Sequence, residues 1–257
     1  MLKKILNKFN HLFFSFNPKI KSKNKKVQHV GTIYGGYDVF EDSLDKPIIL
    51  SCGLGEDASF DIEMIDKYDA KVFCIDPTPR AKEHYYKIKS RFGKKAEEEY
   101  NESGYLKPET YNLENVNDTN LIFIDKAIWS ENDKDLKLYY PKNKNFVSLS
   151  INKKSEYDQT EFHLSKTVTF AEIIRQNDLN CVDILKLDIE GAEIDVIYNF
   201  LNNPKFLPNQ LIVEFDIRRR PSINSYVKLN KINKRIEKYY ELININLKGD
   251  FTYLRNV

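Results

Sequence analysis

The chain has 257 residues, of which 41% are hydrophobic, 13% aromatic and 30% charged. This much apolar surface offsets the ordering entropy, so disorder throughout is excluded. A near balance of 40 basic and 38 acidic residues, net +2, argues against a dedicated nucleic-acid binder, and no stretch nears the roughly 20 apolar residues that span a bilayer.

Residues 1–26 differ from the rest: they carry Lys3, Lys4, Lys8, Lys19, Lys21, Lys23, Lys25 and Lys26 and no acid. Leu2, Ile5, Leu6, Phe9, Leu12, Phe13 and Phe16 recur at helical spacing up to Pro18. Residues 1–30 therefore read as a basic amphipathic segment ahead of one domain over 31–257. The apolar run at 12–14 is too short for a signal peptide. Two readings stay open: a helix packed on the domain or on a partner subunit, and peripheral contact of residues 1–17 with the inner membrane face. The three cysteines have no close pair, which fits a reducing, cytoplasmic setting.

From residue 48 onward strands and helices alternate. Residues 48–51 form a short apolar strand behind Pro47, followed by a helix over 57–68 and a strand over 71–75 (KVFCI). A helix over 79–90 has Pro79 near its start. Residues 91–119 are polar and read as an extension of that helix, then irregular chain. Residues 121–124 (LIFI) are a third strand. Residues 136–140 (LKLYY) and 147–151 (VSLSI) read as a pair of strands, with charged, irregular chain before Thr169. Thr169 and Glu172 have the spacing of a capping box, opening a helix to about residue 176. Strand 182–187, helix 191–201, strand 211–215 and helix 223–238 follow. Segments 240–247 and 251–254 flank Lys248-Gly249-Asp250 as a C-terminal hairpin. The expected fold is α/β: a Rossmann-like, doubly wound, mainly parallel sheet with an antiparallel C-terminal hairpin. Its ligand is expected beyond the C-terminal strand ends.

Only nine glycines occur, and two stand at Gly53 and Gly55, where the first strand ends. Glycine there permits a tight turn and close approach of a ligand. Asp76 ends the second strand, 23 residues after Gly53, a place from which a carboxylate can accept both hydroxyls of a ribose. Pro77 lies in the same turn. Gly53-x-Gly55-x-x-Ala58 also satisfies the dinucleotide fingerprint, so an NAD-dependent oxidoreductase of Rossmann type is the alternative. Glu56 and Asp57 stand where a pyrophosphate would dock on helix N–H groups, and would repel it. S-adenosylmethionine, with a cationic sulfonium and ammonium, is favoured by those acids.

A second acidic cluster runs from Asp183 to Glu193. Asp188 and Glu190 fall at the C-terminal end of the fourth strand. Glu193 reads as an acid favoured by the helix dipole, and Lys186 as a cation paired within the sheet. The stretch Asp183-Ile184-Leu185-Lys186-Leu187-Asp188-Ile189-Glu190-Gly191-Ala192-Glu193 resembles the signature of the FkbM family of S-adenosylmethionine-dependent methyltransferases. SCGLGEDASFDIEMI with IDPTPRA resembles the first two motifs of that family. GTIYGGYDVF, KAIWSENDKDLKLYYPKN with VSLSI, and LIVEFD are further similarities, so that the resemblance covers about residues 31–257. The first motif departs from the family in lacking a strand-end Asp, with Glu56 or Asp57 as substitutes, and Tyr37 stands where relatives have Trp.

The resemblance implies a class I methyltransferase domain that methylates a hydroxyl of a small molecule, often a sugar or natural product; here a glycan precursor is the leading acceptor. It places Gly53 and Gly55 at the cofactor turn, Asp76 at the ribose, Asp125, Lys126 and Ala127 near the adenine, and Asp188 with Glu190 at the reacting end. Candidate bases are Asp188, Glu190, Glu214 and His163, the last reading more readily as a surface histidine. Asp188, Glu190, Glu214 and Asp216 together have the oxygen donors that suit Mg²⁺, which is not favoured, and no metal site is assigned. Arg218-Arg219-Arg220 reads as a solvated loop or as a holder of an anionic substrate. Cys52, Cys74 and Cys181 read as small buried fillers.

Overall fold

The computed structural model describes residues 10, 13–21, 25–100, 104–143, 148–152 and 157–256. Its elements begin with β1 (Val27–Val30), β2 (Tyr37–Phe40), β3 (Ile48–Cys52), α1 (Ser59–Tyr68), β4 (Lys71–Ile75), α2 (Pro79–Lys89) and β5 (Leu121–Ile124). They continue through β6 (Ala127–Ile128), β7 (Asp135–Pro141), β8 (Tyr157–Val168), α3 (Phe170–Gln176), β9 (Ile184–Leu187) and α4 (Glu193–Leu201). The last are β10 (Gln210–Val213), α5 (Ile223–Ile236), β11 (Tyr240–Ile245) and β12 (Phe251–Arg255).

A seven-stranded sheet with the order β11-β12-β10-β9-β3-β4-β5 is central. The five strands from β10 to β5 pair in parallel, and β12 joins β10 and β11 antiparallel. Successive strand residues point to opposite faces, so apolar runs serve two cores. Leu50, Cys52, Leu185, Leu187 and Val213 pack with Val196, Ile197 and Ile232 of α4 and α5 on one face. Ile49, Val72, Cys74 and Ile184 pack with Ile62, Ile65 and Ile88 of α1 and α2 on the other. The chain steps outward from β3 through β4 to β5, then returns to lay β9 against the free side of β3. Beyond the C-terminal ends of β3 and β9 the connecting loops part in opposite directions, which opens a crevice.

Local signals set several boundaries. Thr78 caps α2 by accepting from Ala81 N–H, with Pro79 next to it. Ser222 and Ser225 cap α5 reciprocally. Thr169 accepts from Glu172 N–H at 3.2 Å, but the Glu172 carboxylate turns to Arg175 and Gln176, so half of the expected box forms there.

Four expectations are corrected. No extension of α2 beyond residue 89 appears among the described residues: after Ser90 the chain turns, Gly93 takes φ +80, and a single 3-10 turn forms at Pro108–Thr110. The partner of β7 is not segment 147–151 but β8, across the register Leu138↔His163; only Ser150 bridges to Tyr139, and residue 147 lies outside the described residues. The stretch expected to be irregular before Thr169 is thus the longest strand, in a side sheet of order β6-β8-β7. Cys181 is exposed while Cys52 and Cys74 are buried, because Val182 takes the inward position at the foot of β9.

Leu2, Ile5, Leu6, Phe9 and Leu12 of the expected amphipathic helix lie outside the described residues. The part beyond them is docked. Phe16 is buried against Phe251, ring centroids 5.7 Å apart, and Lys21 N–H donates to Leu242 C=O.

Candidate active site

At the C-terminal ends of β3, β4, β9 and β10 lies a cavity of about 380 Å³, within the size range of small-molecule pockets, roughly 300–1,000 Å³. Of the residues singled out in the sequence, Gly53, Gly55, Glu56, Asp57, Asp76, Pro77, Ala127, Asp188, Glu190 and Glu214 line it. Asp125 and Lys126 do not: Asp125 is ion-paired with Lys82 at the surface, and Lys126 lies 3.7 Å from Asp133. His163, in β8, is also outside the lining.

The glycine turn is held from both sides. Gly53 has φ +89, and a Cβ there would stand 1.9 Å from the carbonyl oxygen of Asp188. Glycine at this position therefore lets β3 and β9 close on each other, rather than making room for a ligand. Gly55 has φ +60, and a Cβ there would meet nothing within 4 Å, so this is where a ligand can reach the backbone. Lys186, buried in β9, donates to Gly53 C=O and stands 4.8 Å from the Tyr37 ring centroid. It is thus tied to the turn, in place of the acid partner expected within the sheet.

Three acids on this side are engaged by donors. Asp76 is buried and accepts from Leu54 N–H at 2.9 Å, Gly55 N–H at 3.0 Å and Thr78 N–H at 2.8 Å. A carboxylate has about four acceptor sites, so one remains for a ligand hydroxyl, not the two expected. Asp57 accepts from the Thr32 hydroxyl at 2.7 Å and from Ser59 N–H at 2.9 Å, which ties the β1–β2 turn to the start of α1. Glu56 is neutralised by Arg80 at 2.6 Å. Of the two acids expected to repel a diphosphate, Glu56 is thus charge-paired and Asp57 is hydrogen-bonded to neutral donors.

The opposite wall is different. Asp188 accepts from the Tyr37 hydroxyl at 2.8 Å, and burial, followed by the Asp188 charge, pushes the Tyr37 phenol well above its ordinary range. Glu190 adopts φ +53 directly before Gly191 at φ +110, a conformation that costs a non-glycine residue energy. Ser150 holds that bend by donating to Glu190 C=O at 2.7 Å. Burial, then the neighbouring Asp188, pushes the Glu190 carboxyl up. Burial, then Asp188, likewise pushes Glu214 up, against an ion pair with Arg219 that pulls it down. Glu193 is not the surface acid that the helix dipole suggests: it is buried, with its carboxyl pushed up to about 8 by desolvation. It accepts from Gly191 N–H at 2.8 Å and so supports the bend beneath Glu190.

Sequence reasoning missed Tyr34, Tyr37 and Lys248 as cavity residues. Lys248 sits 4.4 Å from the Tyr37 ring centroid and donates to Tyr34 and Gly36 carbonyls; the similarity of GTIYGGYDVF to the family, with Tyr37 at a Trp position, was the available sign for the two tyrosines. Of the three consecutive arginines only Arg219 lines the cavity, while Arg218 lies 5.4 Å from the Phe251 ring centroid and donates to Gly249 C=O. Among the described residues no group of three or more Asp, Glu, His and Cys side chains is arranged to hold a metal ion. The remaining wall is apolar, with Leu136 and Leu138 of β7, Leu149 and Ile151.

A family model described as a methyltransferase FkbM domain matches residues 35–243. No curated protein matches the chain. Among solved structures it is similar to a methyltransferase FkbM from Methylobacillus flagellatus KT, at 11% identity and TM-score 0.42, over 82% of this chain and 43% of that one. It is also similar to a chain of a fibrillarin/Nop5p complex, at 9% identity and TM-score 0.43, over 82% of this chain and 73% of that one. The chain thus spans less than half the length of the first of these structures.

Proposed function

The chain belongs to the methyltransferase FkbM domain family, and from that premise we propose that it is an S-adenosylmethionine-dependent O-methyltransferase. Its acceptor is a hydroxyl of a small molecule, above all a sugar or glycan precursor. The sheet is, in this reading, the Rossmann-like doubly wound sheet of class I methyltransferases. The observation that carries the proposal is the wall of Asp188, Glu190 and Glu214, facing a turn whose Gly55 is open to a ligand. A cationic sulfonium and ammonium suit the Asp188 and Glu190 side of this wall, where Glu214 is paired with Arg219 and Lys186 and Lys248 also line the cavity.

The residues fit this cofactor, which when bound supplies an activated methyl group. The Asp76 carboxylate, pinned by three backbone N–H groups, orders the glycine turn and offers its remaining site to a ribose hydroxyl. Asp188 is oriented by Tyr37, and Glu214 by Arg219, so both keep fixed directions. Glu190 is the proposed base: its raised pKa brings it closer to the working pH, and a positioned base contributes about 10²–10⁴-fold. Its carboxylate would hold the acceptor hydroxyl and take up the proton that this hydroxyl gives up on methylation. Leu136, Leu138, Leu149 and Ile151 exclude water and face the apolar C–H side of a sugar ring.

Calorimetry with adenosylhomocysteine and with NAD tests the cofactor assignment. Uptake of adenosylhomocysteine and not of NAD is expected; the reverse overturns it. Transfer of labelled methyl groups to hydroxyls of a sugar and sugar-nucleotide panel then tests the acceptor class, and labelling confined to amines or carboxylates would sink the O-methylation reading.

A further inference from the structure

The outer face of α5 takes no part in the cavity. Leu229, Ile232 and Ile236 turn the other face of the helix into the core. Outward, Ile223 is 65% and Val227 58% exposed, one turn apart on the same stripe. Lys231 and Lys234 continue that stripe and Lys228 flanks it, all exposed. Residues 217–236 contain no acid.

The N-terminal chain lies along this helix. Phe14 meets Tyr226 with ring centroids 6.3 Å apart, and Phe13 is 58% exposed beside it in sequence. Lys21 and Lys25 face Glu237 and Glu241 at 3.9 and 3.4 Å. Lys21 thus meets the acid just beyond the C-terminal end of α5, and Lys25 one in β11. The composite surface is an apolar tip continued by lysines.

We propose that this surface, α5 together with residues 13–21, docks on an anionic phospholipid membrane, with the helix lying in the interface plane. Exposed isoleucine, valine and phenylalanine enter the headgroup–acyl boundary while the lysine ammonium groups meet lipid phosphates. Nucleic acid would use the lysines but gain nothing from Ile223 and Val227 held outward. A second copy would set the same basic face against itself and repel. The proposal is independent of the methyl-transfer reading and needs neither cofactor nor acceptor for its test.

The full chain is sedimented with vesicles of phosphatidylcholine alone and of phosphatidylcholine mixed with phosphatidylglycerol. Binding to the mixed vesicles is expected, at least about tenfold stronger than to the neutral ones and weakened by salt. Ile223→Ser with Val227→Ser should weaken it about tenfold with an unchanged Tm, both side chains being exposed. Lys228→Gln with Lys231→Gln and Lys234→Gln should reduce it and flatten its salt dependence. Equal binding to both vesicles, or no effect of either set of substitutions, overturns the proposal. So does tight binding of duplex DNA without vesicle binding, which assigns the face to nucleic acid. A dimer broken by the Ile223 and Val227 substitutions, again without vesicle binding, assigns it to a second copy and overturns it equally.

Discussion

On the β3–β4 side of the cavity Asp57 and Asp76 are surrounded by donors, with five hydrogen bonds to hydroxyl and backbone N–H groups between them. On the β9–β10 side Glu190 and Glu214 are half-buried beside Asp188, and their protons are held more tightly than in water. The same functional group serves two ends. Where its acceptor sites are filled it fixes the backbone; where burial and like charge leave it under-compensated it is poised to exchange a proton. Most acids that the sequence places near the cofactor turn belong to the first kind.

The strongest way to break this contrast is at the turn itself. Gly53→Ala drives a Cβ into the Asp188 carbonyl at a positive φ and should lower stability by on the order of 3 kcal/mol, with cofactor uptake lost. Gly55→Ala meets no atom within 4 Å and should cost only about 1 kcal/mol, from its φ; thermal unfolding separates the two. If they are equally damaging, close approach to β9 is not what selects glycine at position 53.

Asp76→Ala and Glu190→Gln sharpen the comparison of the two walls. The first leaves three N–H groups without their acceptor and should destabilise by on the order of 2–3 kcal/mol. The second should keep or raise Tm while lowering kcat by about 10²-fold or more. A Glu190→Gln enzyme with full kcat would remove Glu190 from the role of base.

Glu193 titrates in the direction of the second group. Its carboxyl, pushed up to about 8 in the folded chain, keeps its proton while the unfolded chain loses one above the ordinary glutamate pKa of about 4.3. The native state then binds the extra proton, so stability is full below that pH, falls as pH rises and levels off once the folded group ionises near 8. Glu193→Gln should flatten this slope and be more stable than the parent at about pH 8 by on the order of 2 kcal/mol. A pH–Tm profile unchanged by the substitution would show that Glu193 ionises normally. The smallest effect is expected at Asp125→Asn, which removes one exposed ion pair outside the cavity lining. Tm and adenosylhomocysteine affinity should both stay as in the parent; a large loss of affinity would restore Asp125 to the adenine site.

Strands β4 and β5 stand where KVFCI and LIFI predict them: Val72–Ile75 of β4 are buried, as a strand covered on both faces requires, while β5 at the sheet edge is half-buried beyond Leu121. Strand β8 was not legible. Its residues YDQTEFHLSKTV pair in a side sheet that leaves Phe162 and Leu164 partly open to solvent, so no apolar run marks it. Nor was the work of Asp57 legible, since its partner Thr32 is 25 residues away. Tyr37 reaches Asp188 across 151 residues, a separation at which no local pattern speaks.

The sequence by itself determined the alternation of apolar runs and helices, the glycine turn, the acids at the strand ends and the family they mark, since each is written in neighbouring residues. Tertiary structure alone decided which acids are satisfied and which are left under-compensated. That depends on donors and charges brought from distant strands, and on how much water the packed cavity leaves around each carboxylate.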